Sequence, residues 1–154
     1  MSFQKAHNVS NELGEVVITT AVATLNAGSG NDFVCNFPAP FKHYRVLEVG
    51  FVVANDTASN NLTLTIGNVG NGDEYVATTA AITIPANSLG TKFSTSTGAF
   101  DFEAAGATGA SVDAAGVPFL SPGQTVHFET TAAASAATDA VFFARLAPQI
   151  EYKD

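Results

Sequence analysis

The sequence predicts an all-β domain, a sandwich of about eight short antiparallel strands. Three observations carry this. Apolar and polar residues alternate in short runs such as Leu62-Thr63-Leu64-Thr65-Ile66 and Thr125-Val126-His127-Phe128-Glu129, and a period of two places successive side chains on opposite faces of a strand. Turn-forming residues punctuate these runs at short intervals, from the Asn26–Asn31 stretch to Ser121-Pro122-Gly123. No segment carries the apolar spacing of a long amphipathic helix.

The elements follow in order. Residues 1–13 are polar with isolated apolar anchors at Phe3, Val9 and Leu13, and read as an N-terminal arm. Residues 15–25 are a β-branched run that predicts the first long strand, and residues 32–37 a short second one. Pro38 and Pro40 break it, since proline cannot donate to a ladder. From about His43 to Ala54 another strand is expected, with Leu47, Val49, Phe51 and Val53 on the core face and Glu48 on the other. Leu62, Leu64 and Ile66 line the next core face, with Thr63 and Thr65 facing out. Asn71-Gly72 is a hairpin signal, because both residues tolerate positive φ.

Further along, residues 74–84 supply another strand or two with Ile82 and Ile84 inward, ended by Pro85. Residues 89–94 are a weaker candidate around Phe93, and Phe100 and Phe102 alternate with Asp101 and Glu103. Residues 104–116 are Ala/Gly-rich, and their glycine spacing argues against a helix. Residues 124–131 and 139–147 form the clearest pair, read as hairpin-like, with Val126, Phe128, Phe142, Ala144 and Leu146 inward. The resulting division is an arm (1–13), a β-sandwich domain (14–147) and a C-terminal tail (148–154). Long early strands, an extended loop and a terminal pair favour a jelly roll.

Composition narrows function. The 154 residues suit one domain. Charged residues make up only 13% of the chain, and the net charge is −8. Between Val46 and Ala144 the only basic side chain besides His127 is Lys92, so no basic patch for nucleic acid can be assembled. No apolar stretch approaches the ~20 residues that span a bilayer, and the first residues lack the apolar core of a secretory leader. Cys35 stands alone in strand-like surroundings and reads as a buried, inert thiol.

Motifs for chemistry are weak. His7, His43 and His127 have no second ligand at zinc spacing; His127 with Glu129 comes nearest, and the pair is expected to face solvent opposite Val126 and Phe128. The Asn68–Glu74 stretch is rich in oxygen ligands but lacks the register of a calcium loop. No nucleophile elbow occurs, and acid pairs such as Asp101/Glu103 carry no weight in a chain with 14 acids. No enzyme activity, cofactor or metal is expected. What a sandwich core does not need is Phe3, Val9, Phe37, Phe41, Ile150 and Tyr152. These are candidate interaction residues, with Phe37 and Phe41 alternatively serving as lids on the core. Neutral sheet edges with few lysines invite covering by self-association or by a partner.

The Asn61–Val76 stretch, with Leu120–Phe128 and Ala140–Leu146, resembles in pattern the small jelly-roll cement or decoration proteins of tailed-bacteriophage capsids. The resemblance implies a non-enzymatic virion protein, made in the host cytoplasm and placed on the capsid exterior. It also implies a major capsid protein as partner, stabilisation of contacts between coat subunits, and self-association, most often as a trimer. The competing expectation is a virion β-sandwich that binds glycans or a host surface, as a fibre or adhesin module does.

Overall fold

The computed structural model describes residues 14–25, 31–35, 43–56, 58–68, 72–103, 117–132 and 138–148. Among them the strands are β1 (Val16–Thr19), β2 (Ala23–Thr24), β3 (Asn31–Cys35), β4 (Tyr44–Asp56), β5 (Asn60–Gly67), β6 (Ile82–Ile84), β7 (Lys92–Ser94), β8 (Phe119–Leu120), β9 (Val126–Ala132) and β10 (Thr138–Pro148). The larger sheet has the order β1-β10-β4-β7, with β2 also on β10 and β8 also on β4. The smaller has the order β3-β9-β5-β6. All of these pairings are antiparallel, and several of them nest: β5 with β6, β4 with β7, β1 with β10. The fold is an all-β sandwich.

The alternation read from the sequence places the core. Leu62, Leu64, Ile66, Val126 and Phe128 of the smaller sheet are buried against Val49, Phe51, Val53, Phe142, Ala144 and Leu146 of the larger. Phe142 is the hub: its ring stacks on Phe33 at 5.0 Å and meets Phe128 at 5.0 Å and Phe51 at 5.7 Å. Such aromatic contacts add about 0.5–1.5 kcal/mol each beyond the burial of area. Cys35 is fully buried, with its Sγ 3.8 Å from the carbonyls of Ile18 and Phe142. Burial pushes its thiol up to about 12, so it is inert as expected. Ser121-Pro122-Gly123 is a turn, with the Gln124 N–H donating to the Ser121 carbonyl at 3.1 Å.

Four expectations need correction. Residues 124–131 and 139–147 do not form a hairpin: β9 lies between β3 and β5, and β10 lies between β1 and β4 in the opposite sheet. Alternation specifies which face is buried and is silent about the neighbouring strand. Second, Leu47 is not on the core face. Glu48 pairs with Arg145 and Val46 with Leu146, leaving Leu47 as the extra residue of a β-bulge. The bulge reverses the parity of β4, so Val46 turns inward and Leu47 is half-buried. Third, the first strand is interrupted between Thr19 and Ala23. The Thr20 N–H still donates to Phe142 O at 3.0 Å, while Thr20 Oγ1 accepts the Phe142 N–H at 3.1 Å, replacing a backbone carbonyl in the ladder. Fourth, residues 100–103 form no strand; the Glu103 N–H donates to Tyr75 O at 2.7 Å instead.

Candidate interaction surface

The six sequence-predicted contact residues (Phe3, Val9, Phe37, Phe41, Ile150 and Tyr152) lie outside the described residues. Within them, the most organised polar site is on the outer face of the larger sheet, where β4, β7 and β10 run side by side. Antiparallel register puts Glu48 beside Arg145, and Gly50 between Phe143 and Ser94. Cross-strand partners share a face. Glu48 Oε1 accepts from Lys92 Nζ at 2.8 Å, from Ser94 Oγ at 2.6 Å and from the Ser96 hydroxyl. Glu48 Oε2 accepts from Arg145 Nε at 3.3 Å. Arg145 Nη1 reaches on to Glu15 Oε2 at 2.8 Å.

Local sequence explains how these groups meet. Gly50 lets β7 close onto β4: a Cβ there would stand 2.3 Å from Phe93 O and 2.5 Å from Ser94 Cβ. The chain then tightens into a 3-10 turn over Thr95–Thr97, which swings Ser96 back beneath the carboxylate. Ser94 ties down that turn, its N–H donating to Thr97 Oγ1 at 2.9 Å and its carbonyl accepting from the same hydroxyl at 2.9 Å. The Glu48 side chain is 6% exposed. Burial alone would raise its pKa; the hydrogen bonds from Lys92, Ser94 and Ser96, with the charge of Lys92, overcome that and hold it at about 2.

This chemistry is structural. A general base works best with a pKa near the working pH, and a carboxylate at about 2 cannot draw the proton from Ser94 or Ser96. The two bases Lys92 and Arg145 balance the two acids Glu15 and Glu48, so two of the chain's six Lys and Arg residues are committed here. The sequence held a clue in Lys92, isolated in a long stretch without other bases, but nothing in the spacing joins it to Glu48.

Comparison with family models, with curated proteins and with solved structures found no match. The two outer faces of the sandwich differ in chemistry. On the smaller sheet the outer face carries Asn61, Thr63, Thr65, Thr83, His127 and Glu129, all at least partly exposed. His127 Nε2 is 2.7 Å from Thr125 Oγ1, and no group of three metal-binding side chains converges among the described residues. On the larger sheet the outer face mixes the balanced ion cluster with Val17, Val52, Val141 and Phe143. Phe143 is 9% exposed, with Lys92 Nζ 6.0 Å from its ring centroid.

The remaining motifs resolve into turn chemistry and core. Glu74 Oε2 accepts the Asn68 N–H at 2.9 Å and sits where a Cβ on Gly67 would be, 2.3 Å away. This carboxylate thus caps its own loop. Tyr75 is fully buried, and its hydroxyl donates to Phe119 O at 2.8 Å. Shallow grooves of about 380 and 350 Å³ meet at Gly98 and Ala99 beside β6 and β7.

Proposed function

We propose that this chain is a structural virion protein without enzymatic activity, a decoration protein of tailed-phage capsids. It binds the outer capsid surface against the major capsid protein and, as a homo-oligomer, stabilises contacts between coat subunits. The observation that carries this reading is the outer face of the larger sheet. Every charged group of the Glu48 cluster there is already matched by an opposite charge. Covering this cluster with protein would leave none of its four charges unpaired, which is the costly outcome of burying ions, while Arg45 at the end of β4 stays exposed on the same face. The flanking valines add apolar area to the same face.

We also read the sandwich as a jelly roll. The pairs β5·β6, β4·β7, β3·β9 and β1·β10 correspond to one long antiparallel ribbon folded over and rolled into two sheets. The glycan-binding alternative draws less support, because sugar platforms need exposed aromatic rings. Among the described residues every Phe and Tyr is buried or half-buried.

The test is co-sedimentation of the full chain with phage capsids that lack their decoration protein, followed by electron microscopy. Density on the capsid exterior, bridging coat subunits, is expected. Binding should persist between low and molar salt, because a charge-balanced cluster flanked by apolar side chains is little affected by screening. No binding, density inside the shell, or a steep loss with salt would overturn the reading. A glycan array that captured the chain would favour the alternative.

A further inference from the structure

The edge of the larger sheet at β1 has a feature that the capsid reading does not use. Strand β1 pairs with β10 through Val16↔Leu146 and Ile18↔Ala144, and the Thr20 N–H donates to Phe142 O. Hydrogen-bonded pairs alternate along an antiparallel ladder. Thr20, Ile18 and Val16 therefore spend their backbone groups on β10, while Val17 and Thr19 direct theirs away from the sheet. Among the described residues no strand pairs with that side. β1 is short, but it has no lysine, proline or bulge between Val16 and Thr19 to blunt the edge. The β7 edge is treated differently, since the Ser94 carbonyl and N–H are taken up by Thr97 and Ala99 of the following turn. Val17 is 57% exposed, among the most exposed large apolar side chains described.

We propose that β1 pairs with β1 of a second copy across a two-fold axis, centred on Val17, joining the two larger sheets into one. The register follows from hydrogen-bond direction and charge. Outward-facing residues must meet outward-facing residues, so Val17 lies opposite Val17 of the second copy, and Glu15 lies opposite its Thr19. This register uses the whole of β1 and keeps the two Glu15 carboxylates at opposite ends of the joint. A slip that set Glu15 against itself would oppose like charges and leave Val17 uncovered. Arg145 already holds the Glu15 side chain on the outer face, out of the plane in which the two strands would pair. An antiparallel edge-to-edge joint of this kind is isologous and closes as a dimer. It is independent of what the dimer then binds.

The experiment is sedimentation of the full chain at micromolar concentration, with variants at the joint. Wild type should sediment at twice 15.8 kDa. Val17→Lys should be monomeric with an unchanged far-UV spectrum, because its N–H points away from β10 and its side chain stands exposed on the outer face, and its urea midpoint should lose the dependence on protein concentration that dimerisation gives the wild type. The register is read from Thr19. Thr19→Glu places like charges opposite Glu15 in both halves of the joint and should weaken the dimer about tenfold. Thr19→Lys should leave it intact or tighten it. A monomeric or trimeric wild type would overturn the proposal, as would a Val17→Lys variant that stays dimeric. Equal effects of Thr19→Glu and Thr19→Lys would overturn the register. Capsid binding by a stable monomer would sink this joint and the oligomeric part of the decoration role, and leave attachment to the capsid standing.

Discussion

Replacing Glu48 by glutamine isolates the electrostatic part of the cluster on the larger sheet. The amide keeps the shape and can still accept from Lys92, Ser94 and Ser96 through its oxygen. Its NH2 then faces Arg145 Nε, donor against donor, where Glu48 Oε2 accepts at 3.3 Å. The size of the effect follows from the carboxyl's shift from 4.5 to about 2. That shift corresponds to roughly 3 kcal/mol favouring the ionised form in the folded state, and the side chain is buried enough for most of it to survive solvent screening. The folded pKa is depressed, so the stabilisation is fully present above the unfolded value of 4.5 and is lost as pH falls towards 2. Urea unfolding should show Glu48→Gln less stable than wild type by roughly 3 kcal/mol at pH 7, narrowing to roughly 1–2 kcal/mol at pH 3. A gap that did not change with pH would refute the assignment of the charge, and a gap under about 1 kcal/mol at pH 7 would place the pair in the class of weak surface ion pairs.

Three further outcomes are expected. Gly50→Ala forces a methyl group to within 2.3 Å of the Phe93 carbonyl; urea unfolding should show a loss of about 1–3 kcal/mol or more as β7 is pushed from β4. Phe142→Ala removes the ring that touches Phe33, Phe51 and Phe128, and the same measurement should show about 3–5 kcal/mol lost. Cys35, with its thiol pushed up to about 12, should resist iodoacetamide at pH 8 in the native protein and react only on unfolding, as followed by mass spectrometry; ready native labelling would contradict its burial.

Legibility of the fold in the sequence depended on the kind of information each feature needs. Face selection is local, so Leu62, Leu64, Ile66, Val126 and Phe128 were readable from alternation alone. Partner selection is not local: the stretches that became β9 and β10 look like a hairpin and belong to different sheets. The bulge at Leu47 arises from the match between β4 and β10, so the parity of β4 could not be read from β4. The cluster was hidden for the same reason. Glu15, Glu48, Lys92 and Arg145 lie far apart in the chain, and only the β1-β10-β4-β7 order brings them together. What could be read was weaker: a lone lysine in a base-poor stretch, and an acid set into an apolar strand. Phe100 and Phe102 show the opposite error, an alternating pattern with no ladder to join.

The position of β10 has a consequence for how the molecule is made. This strand sits between β1 and β4, so the first and fourth strands both wait for the last. A growing polypeptide can close the β5·β6 pair early, because those partners are neighbours in the chain. The larger sheet stays open until residues 138–148 have been synthesised. Pairings of such long sequence separation slow folding to the order of milliseconds to seconds, and during that interval the core residues Ile18, Val49 and Phe51 lack the strand that they flank in the finished sheet. Shortening the carboxyl end into β10 should therefore yield insoluble material rather than a smaller soluble domain.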